Sequence, residues 1–177
     1  INIKFEIQKK PTGLPDAFVI GEEFIGDSDV CLILGDNIFH ADTFVNKYLI
    51  PSFDKKTPTV FGYHVSDPER YGVVEFDEKL NVLSIEEKPA SPKSNYAVTG
   101  LYVFDNNAPS IAKGLLPSDR GETEIVDMLN YYLKHDTLKV ELLGRGVSWL
   151  DTGTHKSLHE ASSYVEVLEN RQGLKIA

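Results

Sequence analysis

The stretch Val30-Cys31-Leu32-Ile33-Leu34-Gly35-Asp36-Asn37-Ile38-Phe39 decides how the rest of the chain reads. Five apolar residues, Val30 to Leu34, run without a polar interruption. That is the pattern of a strand covered on both faces, as at the centre of a parallel sheet. Gly35 ends the run, and Asp36 and Asn37 follow at once. In open α/β sheets, ligands sit beyond the carboxyl ends of the strands. A carboxylate there, beside a glycine that lets a ligand come close, is placed to hold a metal ion or a phosphate-bearing ligand. The same residue type is also a favoured N-cap for a helix that follows. The stretch alone leaves both readings open.

Upstream, Ile3, Phe5 and Ile7 alternate with Lys4, Glu6 and Gln8, which predicts a half-buried strand. Residues 9–15 form a loop punctuated by Pro and Gly, and residues 16–24 a short helix with Phe18, Val19 and Phe24 toward the sheet. Downstream, a helix is expected over 41–53 and a strand over 59–65. Two strands, 71–76 and 82–86, are joined around 77–81 as an antiparallel hairpin. A further strand over 95–104 carries Thr99-Gly100 in its middle, where glycine often marks the close approach of a ligand or another backbone. Helices follow at 107–114 and 123–135, the second with Ile125, Met128, Leu129 and Tyr132 on one side. Strands over 138–143 and 147–150 lead into a helix over 155–171, capped by Thr154 and stopped at Gly173. Strands alternating with helices, with a hairpin inserted mid-chain, imply an α/β fold on a mixed sheet. No repeat or linker divides residues 1–177, so one domain is expected.

Composition narrows the function classes. The 27 acidic side chains outnumber 18 basic ones, for a net charge of −9. That balance argues against a nucleic-acid binder that works by neutralising phosphates. No apolar run approaches the ~20 residues needed to span a bilayer, so no membrane partner is expected. The single cysteine, Cys31, lies inside the apolar run and reads as a small core residue. Without a disulfide framework the chain suits a reducing cytoplasm. Its first residue is Ile and it opens mid-pattern, so a piece of a longer polypeptide, incomplete at both ends, is expected.

Two acidic residues share a context. Asp36 ends the strand 30–34 and Asp151 ends the strand 147–150, each with glycine within two residues. If both strands lie near the middle of one sheet, both carboxylates project from its carboxyl edge. Such a pair suits Mg²⁺, which is bound by one or two carboxylates plus substrate phosphates. In Glu86-Glu87-Lys88-Pro89 the proline disfavours the helical region for Lys88. Glu87 and Lys88 should then finish a strand in extended form, on opposite faces. A lysine there either meets a phosphate oxygen as a compact cation or is simply solvated. Three other patterns carry less. Asp27-Ser28-Asp29 precedes its strand, at the wrong edge for a metal-dependent glycosyltransferase. His155 and His159 have a zinc-ligand spacing and no evident third ligand. Gly144-Arg145-Gly146 lacks the further glycine and the helix of a dinucleotide fingerprint.

With these residues in view, the chain resembles the glucose-1-phosphate thymidylyltransferases, bacterial enzymes that make dTDP-glucose. The matching segments run from Gly13-Leu14-Pro15-Asp16-Ala17-Phe18 through residues 32–39, 70–76 and 85–89. They continue through 92–102, which holds Ser94-Asn95-Tyr96-Ala97-Val98-Thr99-Gly100, to Trp149-Leu150-Asp151-Thr152-Gly153-Thr154-His155 and residues 169–175. Essentially all 177 residues are covered. The resemblance implies a three-layer, Rossmann-like mixed sheet of the nucleotide-diphospho-sugar transferase type. It implies attack by the anomeric phosphate of glucose 1-phosphate on the α-phosphorus of dTTP, with release of pyrophosphate, for deoxysugar synthesis of the dTDP-rhamnose kind. By the same resemblance Gln8 and Gly13 meet the thymine, and Asp36 and Asp151 hold Mg²⁺. Tyr71, Gly72, Glu87 and Val98 line the glucose pocket, and Lys88 meets the sugar phosphate with Arg120 as a further contact. Gly144 and Arg145 match part of a feedback site for a dTDP-sugar, and the family implies a homotetramer. The family's opening strand, its glycine-rich loop around the triphosphate and its C-terminal helices have no counterpart here. Since backbone N–H groups of such a loop anchor phosphate, this span alone is expected to be inactive or nearly so. A uridylyltransferase and a non-catalytic sugar-nucleotide-binding domain are the alternatives.

Overall fold

A computed structural model describes residues 2–176. Among the described residues eight strands are formed: β1 (Val30–Ile33), β2 (Asn37–His40), β3 (Thr59–His64), β4 (Gly72–Phe76), β5 (Val82–Glu87), β6 (Tyr96–Phe104), β7 (Lys139–Leu142) and β8 (Ser148–Asp151). The α-helices are α1 (Asp16–Ile20), α2 (Glu22–Ile25), α3 (Ile50–Asp54), α4 (Ala108–Lys113), α5 (Ile125–Lys134) and α6 (His155–Gln172). A π-helical turn, Val45–Leu49, precedes α3. The helix expected over 16–24 is broken at Gly21, and Phe18 is buried while Phe24 is 59% exposed.

The organising strand is β6. Every residue after Tyr96 in it is buried, as expected of a strand covered on both faces. The main sheet runs β5-β4-β6-β3-β7, with β1 also paired to β6, and within it only β3–β7 is parallel. The run 30–34 is therefore not a central parallel strand. It is an antiparallel neighbour of β6, only partly covered, and Ile33 is 56% exposed. Burial still raises the Cys31 thiol to about 11, in keeping with a half-covered packing residue. Apolar side chains cover both faces of the sheet. Phe18, Ile25, Ala108, Ala112, Val126, Met128 and Leu129 join one core, and Tyr48, Phe61, Leu101 and Val103 the other. Helical layers on both sides of a mixed sheet give the three layers.

Two expectations fail for the same reason, which is pairing. Ile3, Phe5 and Ile7 form no strand and are 67%, 90% and 80% exposed. Alternation creates a strand only where a ladder partner satisfies the backbone, and among the described residues nothing pairs with this segment. Asn37–His40, conversely, is not the start of a helix capped by Asp36. It pairs antiparallel with β8 as a separate two-stranded ribbon, Asn37 opposite Asp151 and Phe39 opposite Trp149.

That ribbon and the main sheet create the opening that matters. Along one edge of β6, Val73 of β4 pairs with Ala97, and Ile33 of β1 pairs with Leu101. Residues 98–100 lie between, where the two neighbours part. The chain leaves β1 through a turn at Gly35 and Asp36, and the Leu34 N–H donates to Gly100 O at 2.9 Å. The ribbon then hangs over the gap.

Candidate active site

A cleft of about 250 Å³ opens where β4 and β1 diverge. Its walls include Asp36, Tyr71, Gly72, Glu87, Lys88, Val98 and Asp151, so seven residues singled out in the sequence meet in one place. Asp36 and Asp151 arrive by a different route from the one expected. They do not share the carboxyl edge of one sheet. Asp36 sits in the turn joining the main sheet to the ribbon, and Asp151 ends the ribbon's second strand, opposite Asn37.

The segment Asp151-Thr152-Gly153-Thr154 fixes this geometry residue by residue. Thr152 clamps the Asp36 carbonyl oxygen, donating from both its backbone N–H and its hydroxyl at 2.8 Å. Thr154 caps α6, its hydroxyl accepting from the Ser157 N–H at 3.1 Å while the Ser157 hydroxyl accepts from the Thr154 N–H. Gly153 leaves a space between the carboxylates. A Cβ there would sit 3.2 Å from Asp151 Oδ1 and 3.5 Å from Asp36 Oδ2. Two carboxylate oxygens converging on one atom-sized gap are hard oxygen donors of the kind Mg²⁺ takes. Among the described residues no group of three or more His, Cys, Asp and Glu stands together as a metal-holding set. A two-carboxylate site of this kind would complete its shell with waters, or with ligand oxygens when a phosphate ligand is bound.

The opposite wall is the hairpin β4–β5. Gly72 pairs with Glu87, and a Cβ on Gly72 would lie 3.4 Å from Glu87 Oε2, so the glycine makes room for that carboxylate. Lys88 corrects the extended geometry expected of a residue before proline. Its φ is +44°, left-handed, while its N–H donates to Tyr71 O at 3.0 Å. The twist brings Lys88 Nζ to 3.7 Å from Glu87 Oε1, on the cleft side and not on the opposite face. A non-glycine residue in that region carries backbone strain. Burial raises the Tyr71 phenol above its ordinary range; Asp67 and Asp151 add to the rise and Arg70 opposes it.

Other expected residues lie outside this cleft lining. Gln8 Nε2 donates to Gly13 O at 3.0 Å and to Thr12 Oγ1 at 3.1 Å, tying residues 8–13 into one loop. Gly13, at φ +112°, bridges Thr123 so closely that a Cβ would collide with the Thr123 carbonyl oxygen. Its neighbour Leu14 does line the cleft. Arg120 is engaged by Glu124, donating from Nη2 at 2.8 Å and Nε at 3.2 Å. Gly144 and Arg145 line a separate hollow of about 670 Å³ with Tyr63, His64 and Tyr96.

Sequence reasoning gave no site role to several contributors to the cleft, among them Asn37, Arg70, Tyr102 and Trp149. Period-two counting along β6 from Val98 through Gly100 would have reached Tyr102. Asn37 and Trp149 had no local signal, because their roles depend on the ribbon pairing.

Comparison with known proteins places this arrangement. A glucose-1-phosphate thymidylyltransferase of Neisseria gonorrhoeae is 56% identical over 177 residues, 100% of this chain and 62% of that protein. A protein of the same name from Mycobacterium tuberculosis H37Rv is 48% identical over 180 residues, 100% of this chain and 61% of that one. The chain thus spans about three fifths of the length of these curated relatives. A Bacillus anthracis crystal structure described as a glucose-1-phosphate thymidylyltransferase in complex with sucrose superposes with TM-score 0.81 at 40% identity, covering 91% of this chain and 64% of that one. A UDP-glucose pyrophosphorylase complexed with UDP-glucose gives TM-score 0.80 at 26% identity, covering 90% and 64%. With the family model for nucleotidyl transferases matching residues 1–167, this chain belongs to the nucleotidyl transferase family.

Proposed function

We propose that the protein to which this chain belongs transfers a thymidylyl group from dTTP to glucose 1-phosphate, yielding dTDP-glucose and pyrophosphate. The observation that carries this reading is the cleft itself, with a carboxylate pair about a small gap on one wall and Glu87 with Lys88 on the facing hairpin. The names of relatives at 45–56% identity favour thymidylyl over uridylyl transfer, since the UDP-glucose enzyme stands at 26%.

The chemistry asks little covalent work of the protein. One phosphate oxygen of the sugar phosphate forms a bond to the α-phosphorus as the bond to the pyrophosphate oxygen breaks. The nucleophile is already an anion, so no general base is required. Positioning and charge screening carry the rate. Asp36 and Asp151 would hold Mg²⁺, which when bound supplies positive charge to the triphosphate. The Lys88 ammonium would sit against the sugar phosphate, with Arg120 as an outer cation. Glu87 would accept hydrogen bonds from sugar hydroxyls, with Tyr71, Gly72 and Val98 shaping the pocket. Gln8 and Gly13 would present backbone and amide groups to the base. Gly144 and Arg145, in their separate hollow, would contribute to a feedback site for a dTDP-sugar in a homotetrameric, cytoplasmic enzyme.

The test is turnover. The intact protein, given Mg²⁺ and glucose 1-phosphate, is expected to release pyrophosphate faster with dTTP than with UTP, and to stop when Mg²⁺ is chelated. A preference for UTP would replace this reading with a uridylyltransferase. Binding of dTDP-glucose that ignores Mg²⁺, without turnover, would replace it with a binding domain. The 177-residue span by itself is expected to bind the sugar nucleotide weakly and to turn over little.

A further inference from the structure

Asn37 makes more directed contacts than any other residue of the cleft, and the reaction as described gives it no part. Its Oδ1 accepts from the Gly100 N–H at 3.0 Å and from the Trp149 indole N–H at 2.6 Å. Its Nδ2 donates to Asp36 Oδ1 at 2.9 Å. The orientation of the amide is fixed by chemistry, because a flipped group would turn its own N–H bonds toward two N–H donors. Gly100 is part of the device. A Cβ there would lie 2.6 Å from Asn37 Cγ, so only glycine lets the amide reach the β6 backbone.

The consequence for Asp36 is an asymmetry between its oxygens. Oδ1 is tied to Asn37, while Oδ2 is the oxygen nearer the space above Gly153 and Asp151. The consequence for Trp149 is a fixed ring. It is 8% exposed, its N–H is spent on Asn37, and its edge meets Tyr71 at 5.3 Å and Tyr63 at 5.7 Å between centroids.

We propose that Asn37 is a positioning residue that locks the Asp36 carboxylate, the Trp149 indole and the β6 backbone into one unit, so that a divalent cation taken up between Asp36 and Asp151 is felt at Trp149. This rests on the carboxylate pair being a cation site. A cation that draws on Asp36 Oδ2 withdraws charge from Oδ1, which weakens the bond from Asn37 Nδ2 and alters the bond from the indole to Asn37 Oδ1. Hydrogen-bonded partners of metal ligands are worth roughly 10–100-fold in metal affinity.

The chain has one tryptophan, so its emission reports Trp149 alone. Mg²⁺ alone is titrated into the wild-type chain, N37L and W149F, with calorimetry for uptake, indole emission where Trp149 remains, and a melting curve for each variant. In the wild type, emission is expected to shift with the same midpoint as calorimetric uptake. N37L, close in volume, is expected to bind Mg²⁺ at least tenfold more weakly and to show a free indole's emission that no longer responds. W149F keeps the Asn37–Asp36 bond, so its Mg²⁺ affinity is expected to fall less than that of N37L. Calorimetric uptake by the wild type with a silent tryptophan overturns the proposal, and this arm stands even if N37L does not fold. A folded N37L with wild-type affinity also overturns it. No uptake by the wild type at all overturns the cation site itself, and the proposal with it.

Discussion

At the scale of single residues, backbone strain and empty space are placed where the ligands are expected. Lys88 holds φ +44°, a conformation costing ~1 kcal/mol for a residue with a Cβ. K88G and K88A both remove the ammonium. Only K88G also removes the strain, so it is expected to unfold at higher denaturant concentration than K88A, while both lose phosphate affinity alike. Equal melting of the two would show that the backbone there is unstrained. Gly153 gives the complementary case. Its φ lies outside the left-handed region, so an alanine there is tolerated by the backbone, and its methyl enters the gap between the carboxylates, where the Asp151 carboxylate must give by a few tenths of an ångström. G153A is expected to melt like the wild type and to bind Mg²⁺ about tenfold more weakly by calorimetry, a loss of ~1.4 kcal/mol. Asp36, Glu87, Lys88 and Asp151 could be singled out as candidates in the sequence because charged residues at strand ends carry a local signal, though the shared side of Glu87 and Lys88 could not. Nor could Asn37, since an asparagine becomes a hub only when Gly100 and Trp149, far away in the chain, come to it.

At the scale of elements, strand and helix positions followed periodicity well from β3 through β8, and went astray where pairing decides. The apolar run 30–34 looked central and proved to be a partly covered neighbour of β6, because hydrophobicity records burial and not the order of strands. Strand β2 was missed since four residues of ribbon have no period of their own until β8 lies opposite. The start of α5 shows how a charged group holds an element in place. Glu124 Oε1 accepts from Ser118 Oγ at 2.8 Å and from Arg120 Nη2 at 2.8 Å. Burial by itself would raise this carboxyl, and the bonds from Ser118 and Arg120 outweigh it, leaving Glu124 below its ordinary value of 4.5. A carboxylate depressed in the folded state adds stability above the unfolded value, and that stability is lost as pH falls through the folded one. E124Q is therefore expected to be less stable than the wild type at pH 7, by ~1 kcal/mol since the pair is partly exposed. The gap should close as the pH is lowered past 4.5 and on through the acid range. A constant difference in urea midpoint across that range would show that the charge is not what anchors the helix.

At the scale of the whole molecule, the sheet carries an unusual imbalance between what it buries and what it leaves open. No helix among the described residues is long and apolar enough to cross a membrane, so the exposed apolar groups need another account. They are spread along the chain from Ile3 to Leu174, and three of them alternate near its start. Ile3, Phe5 and Ile7 present alternating side chains at 67%, 90% and 80% exposure. Strand β1 pairs on one side with β6 and, among the described residues, with no other strand. An unpaired strand edge and an unpaired alternating segment are each templates for association. Net charge of −9 opposes this by repulsion, and that repulsion fades as salt shortens the Debye length from ~10 Å at 0.1 M to ~3 Å at 1 M. The chain is accordingly expected to self-associate more at 1 M salt than at 0.1 M, measured by sedimentation velocity. The double substitution F5K/I7K replaces two exposed apolar groups with lysines, which discourage edge pairing, without touching the core. Although the two lysines bring the net charge from −9 to −7, the variant's melting curve should match the wild type while its salt-driven association falls severalfold. Association that persists undiminished in F5K/I7K would place the sticky surface elsewhere on the sheet.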